Sequence, residues 1–108
     1  MFVRKLTLNL KPNMFTQLTS AVEKQINPLL RKQQGFKDQM AFVKPGSSEV
    51  EVISIWDSQM DAETFARSTY NDVLKIYANL IEGSPKVETA EMLYSTFHEI
   101  PTGKTIAA

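Results

Sequence analysis

The chain has 108 residues, enough for one domain around one core, and its 43% hydrophobic and 22% charged content is that of a globular protein, not a disordered one. It has no cysteine and one histidine, which excludes disulfides, thiolate metal sites, iron-sulfur clusters and a cysteine nucleophile, and leaves too few ligands for a zinc site. Twelve basic side chains balance twelve acidic ones, so the positive field of a nucleic-acid binder is missing. Early charges at Arg4 and Lys5 and the lack of a run of ~20 apolar residues argue against a signal peptide and a membrane span, so the expected location is the cytoplasm.

Residues 2–10 alternate, with Leu6, Leu8 and Leu10 on one side and Lys5, Thr7 and Asn9 on the other, the period of a strand. Pro12 and Asn13 end it. Met14, Leu18, Val22 and Ile26 then follow helical spacing, predicting a helix over about 13–34, broken or kinked near Pro28 and closed by a left-handed Gly35. Phe36, Met40 and Phe42 alternate with polar neighbours up to Val43, and Pro45-Gly46 with Ser47 and Ser48 supplies a hairpin turn into a third strand over 50–56.

That third strand is apolar on both sides, Val52 and Trp56 against Ile53 and Ile55. A four-stranded sheet with both helices on one face leaves the other face to be covered, and a second copy of the chain is the economical cover. Ser58 followed by Asp61 predicts a capped helix through Phe65 and Arg67. Val73, Ile76, Tyr77, Leu80 and Ile81 predict a second helical segment closing at Gly83. A fourth strand is expected over 87–97, and residues 100–108 form a loose tail after a single domain over 1–99.

The order strand-helix-strand-strand-helix-strand is that of an α+β, ferredoxin-like βαββαβ fold. Its right-handed crossovers predict an antiparallel sheet in the order 4-1-3-2. Residues 1–44 carry eight basic and two acidic side chains, a net of +6, which leaves −6 for the remainder. In a homodimer with stacked sheets, Lys37 and Lys44 would lie near the partner's acidic half, including Glu88 and Glu91 of this sequence's fourth strand.

Lys11-Pro12, the run Leu29-Leu30-Arg31-Lys32-Gln33-Gln34-Gly35-Phe36, Ile55-Trp56-Asp57-Ser58 and Ser84-Pro85-Lys86-Val87 together resemble the antibiotic biosynthesis monooxygenase family. The resemblance covers residues 2–97. It implies a dimeric α/β barrel with a pocket in each subunit between sheet and helices, and either oxygenation of phenols or quinols without a cofactor, haem degradation, or no known reaction. The haem-degrading pattern of Asn, Trp and a helix-borne His is matched loosely at Asn9 and departed from at Phe65 and Lys75, so no cofactor is expected.

The candidate catalytic residues are Asn9, Tyr77 and His98, with Trp56, Phe65 and Tyr70 as candidate substrate-binding residues. Asn9 could donate to a substrate oxyanion or be a solvated strand end. Trp56 could wall a pocket or plug the core. Tyr70 and Tyr77, seven residues apart, share a helix face if one helix carries both, and their hydroxyls could bind a phenol or simply sit at a packing rim. His98 can transfer protons near neutral pH, or be a surface residue. Two functions stay open: a cofactor-independent monooxygenase of an electron-rich aromatic such as a quinol or anthrone, and a non-catalytic dimeric small-ligand-binding or stress-associated protein.

Overall fold

The computed structural model describes residues 1–98; the expected 100–108 tail lies outside them. The strands are β1 (Phe2–Leu10), β2 (Phe36–Val43), β3 (Glu49–Trp56) and β4 (Ile81–Glu91), all antiparallel in the order β2-β3-β1-β4, which is the expected 4-1-3-2 order. Between β1 and β2 run α1 (Phe15–Ala21), a π-helical segment (Val22–Ile26) and α2 (Asn27–Arg31); between β3 and β4 run α3 (Gln59–Ser68) and α4 (Tyr70–Tyr77).

Alternation along β1 decides which face is inside. Phe2, Arg4, Leu6, Leu8 and Leu10 are buried against the helices, while Val3, Lys5, Thr7 and Asn9 face the other way. Register carries the same division across the sheet: Leu6 stands opposite Val52, and Lys5 opposite Ile53. The core forms on the helix side, where Trp56, Leu8, Ile26, Leu30 and Tyr77 are sealed from solvent. Trp56 stacks on Phe65 at 4.9 Å and meets Phe36 edge-on at 5.5 Å. Its Nε1 donates to Ser54 Oγ (2.9 Å), and that hydroxyl donates to the Arg4 carbonyl (3.4 Å). The indole is therefore satisfied and buried, as core aromatics with polar handles usually are.

The expected kink near Pro28 takes the form of the π-helical segment just before it. Pro28 lacks an N–H, and its ring would press on the carbonyl four residues back in a regular helix; a widened turn relieves both. Gly35 has φ 78°, and a Cβ there would strike the Asp61 carboxylate, so this position needs glycine for room as well as for conformation. Ser58 caps α3 by accepting from the Asp61 N–H at 3.1 Å.

Two boundaries differ from the sequence reading. α4 ends at Tyr77 instead of running to Gly83, and β4 begins at Ile81 and ends at Glu91, not over 87–97. Gly83-Ser84-Pro85 reads as a helix stop, but β4 is an edge strand, where glycine and proline are tolerated because one row of backbone groups faces away from the ladder. A register shift in its pairing with β1, between Thr7 and Asn9, falls beside that stretch.

Past β4, Met92 N donates to the Met1 carbonyl (2.8 Å), and His98 Nε2 lies 3.3 Å from Asp38 Oδ2. Asp38 is paired with Ile55, which is paired with Val3, so all three point to the helix-free face. Residues 92–98 thus cross that face as a strap, and Ile55 is buried there. Farther along the same face, Ile53 and Met40 are only partly covered and Phe42 is 52% exposed. Lys37 pairs with Asp57 (3.2 Å) and Glu88 with Lys86 (3.9 Å) within the chain, and Glu91 lies opposite Phe2 on the helix side. The charges expected to meet across a dimer are thus mostly engaged within their own chain or turned away. Exposed pairs of this kind contribute only about 0–1 kcal/mol each.

Candidate functional site

Four of the six residues singled out from sequence converge. Trp56 comes from the end of β3, Phe65 from α3, and Tyr70 and Tyr77 from one face of α4, so that Trp56, Phe65 and Tyr70 form a continuous aromatic row, with 6.1 Å between the last two rings. Under it, between sheet and helices, lies a void of about 10 Å³ bordered by Arg4, Gln39, Ser54, Phe65, Tyr70 and Tyr77. That is room for about one water. Larger hollows lie on the surface, such as one of about 630 Å³ between α1 and α4 lined by Ser20, Gln25, Lys75 and Asn79, which has no aromatic wall.

Arg4 was missed by the sequence reading, which weighed it only as a basic residue near the start. Its signal was its position: it continues the inward series Leu6, Leu8, Leu10 by one step, and so had to be buried. It is 8% exposed. Its guanidinium lies over the Tyr70 ring at 4.3 Å and within 5.8 Å of the Phe65 ring. None of the ion pairs among the described residues includes it. The Tyr70 hydroxyl acts on it both through charge and as a hydrogen-bond partner, partly offsetting the effect of burial. Burial lowers the Arg4 pKa and raises those of Tyr70 and Tyr77; Arg4 partly offsets the shift of Tyr70. An arginine remains charged in such a setting, and both phenols keep their protons.

Asn9 and His98 are elsewhere. Asn9 is exposed on the helix-free face, opposite Glu49 and Glu82. His98 ends the strap beside Asp38, also on that face. The sheet separates both from the void. Among the described residues there is no cluster of three or more His, Cys, Asp or Glu that could hold a metal, and no helix is long and apolar enough to cross a membrane.

Solved structures share this architecture at low identity. A monooxygenase from Streptomyces coelicolor with nanaomycin D bound superposes with a TM-score of 0.69 at 17% identity, covering 87% of this chain and 92% of that one. The fold is that of the antibiotic biosynthesis monooxygenases. A Bordetella bronchiseptica protein provisionally assigned to that group gives 0.73 at 10% identity, covering 86% and 97%. A Nitrosomonas europaea protein of unknown function gives 0.71 at 18%, covering 94% and 95%. At such identities the likeness establishes the fold, and that fold is shared by a monooxygenase and by proteins with no assigned activity. No protein-family model matches the chain, and no curated protein does.

Proposed function

We propose that this chain is a homodimeric, cofactor-independent monooxygenase acting on a small electron-rich aromatic, of quinol size, bound between sheet and helices. The observation that carries the reading is the convergence of Arg4, Tyr70 and Tyr77 with the Trp56–Phe65 stack on one enclosed space. An ionised quinol can itself give an electron to dioxygen, so the protein's share is to hold the ring, stabilise its oxyanion and exclude water. Arg4 supplies the positive charge and Tyr77, buried and protonated, a hydroxyl donor. The balance is simple: a hydroquinone and one dioxygen give a hydroxyquinone and one water.

The void as it stands admits no ring. Tyr70 is only partly buried and packs on Arg4, so turning its side chain outward vacates about one ring's volume over the guanidinium. This limits the substrate to a single ring and disfavours anthrone-sized molecules. Partial exposure of Ile53, Met40 and Phe42 supports a dimer formed through the helix-free face. The smallness of the void favours a second reading, a dimer that binds a small molecule without turning it over. Oxygen uptake by the metal-free protein with a panel of quinols decides between them: enzyme-dependent uptake that Arg4→Met abolishes supports the oxygenase, and uptake no faster than with heat-denatured protein leaves the binding reading.

A further inference from the structure

We infer that the ligand of this space carries a carboxylate on its ring and that Arg4 is the residue that selects it. This rests on the reading that the space under Tyr70 is the ligand site, not on catalysis there. The charged group of the lining is a donor: Arg4 is donor-only, and the Tyr77 hydroxyl, which stays in place when Tyr70 turns outward, is held protonated by burial and so can donate. Ser54 is engaged by Trp56 and by the Arg4 carbonyl, and the Gln39 amide nitrogen donates to Asn27 Oδ1 at 2.8 Å. Among the described residues no aspartate or glutamate borders the void.

Arg4 is buried as a residue, forms none of the ion pairs among the described residues, and has its desolvation offset by the Phe65 and Tyr70 rings and the Tyr70 hydroxyl. Stacking occupies the face of the guanidinium and leaves the N–H edge, whose fork matches the two oxygens of a carboxylate. The void, about one water in size, is where the carboxylate would enter, and the ring would take the place vacated by Tyr70. A quinol bearing a carboxylate, such as 2,5-dihydroxybenzoate, meets every requirement.

The test is titration calorimetry under nitrogen with 2,5-dihydroxybenzoate and its methyl ester, on the wild-type chain, Arg4→Met and Arg4→Lys. The acid should bind about 10- to 100-fold more tightly than the ester, the range expected for charge-assisted hydrogen bonds. Arg4→Met should erase that difference while unfolding at the same or a higher temperature without ligand, since removing an unpaired buried charge does not destabilise. Arg4→Lys, which keeps the charge but not the fork, should retain part of the preference even if the Met variant does not fold. Equal binding of acid and ester, no binding of either, or a preference that survives in Arg4→Met overturns the inference. Arg4-dependent binding of the acid without oxygen uptake in air would sink the oxygenase reading alone. Uptake of neutral quinols with no preference for the acid would sink this inference alone.

Discussion

The two faces of β1 and β3 are built from the same paired stretch, Phe2–Asn9 against Glu49–Trp56, yet they end in opposite conditions. On the helix side Phe2, Leu6, Leu8, Val52 and Trp56 are closed over by the chain's own helices. On the other side Val3 and Ile55 lie under the strap that ends at His98, while Ile53, Met40 and Phe42 are left partly open. A finished core and an unfinished one share a backbone. The difference teaches that burial in a single chain and apolar character in the sequence are separate statements: Ile53 is as apolar as Val52 and lacks only a cover.

Four substitutions would break or sharpen that contrast. Trp56→Ala empties the largest of the fully buried positions on the helix side and should reduce stability by about 3–5 kcal/mol in urea unfolding, the usual loss for a buried aromatic. A loss below 1 kcal/mol would mean that the indole is a pocket wall and not core. Ile53→Asp, on the unfinished side, should leave the fold intact by circular dichroism but raise the dimer dissociation constant on the order of a hundredfold in analytical ultracentrifugation, because a charge would be placed in an apolar contact. For the unsubstituted chain, a dimer that persists at about 1 M salt, where screening acts within ~3 Å, would show that the contact is apolar and not ionic. A monomer under both conditions would refute the dimer.

Tyr77 offers a test by pH. Burial raises its folded-state pKa above the ordinary value of 10.0, so above that pH the unfolded chain releases a proton that the folded chain still holds. Stability from this group is complete below pH 10 and should decline as pH rises beyond it. Melting temperatures between pH 9 and roughly pH 11 should therefore fall more steeply for the wild type than for Tyr77→Phe, and parallel curves would remove the buried phenol from the account. The smallest effect is expected at Asn9, exposed on the far side of the sheet: Asn9→Ala should change stability by less than about 0.5 kcal/mol and leave oxygen uptake with quinols unaltered. A hundredfold fall in uptake would return Asn9 to the site and place that site on the other face.

Strand order, both crossovers and the capped start of α3 were legible because alternation, turn chemistry and the Ser58–Asp61 cap act locally. The end of α4 and the span of β4 were not, because Gly83 and Pro85 mean a stop within one element and an edge within another, and only the sheet's neighbours decide which. In the candidate site the meeting of the aromatic rings was legible, since large rings at helical or strand spacing must find one another in a core this small. Arg4 was not, because a basic residue near a terminus is usually exposed, and its burial follows from a register set jointly by β3 and β4. Asn9 misled for the converse reason: one residue of offset along a strand exchanges faces.

The π-helical segment before Pro28 has a further effect, on angle. Along an ordinary α-helix, Leu18 and Leu30 would point about 120° apart around the axis, twelve residues at about 100° each. A π-type turn takes up roughly one extra residue without advancing the rotation, which brings the two within about 20°. Both leucines are buried, at 6% and 2% exposure, on either side of Val22–Ile26. The widened turn thus acts as a phase corrector, holding a hydrophobic stripe in line through a stretch whose sequence spacing would otherwise wind it off the sheet. Deleting one residue within 22–26 would leave eleven residues of regular helix between the two leucines, again about 20° apart by the same arithmetic, so the stripe should stay in line without the π turn, whereas forcing all twelve residues into a regular helix would turn its far half away from the sheet.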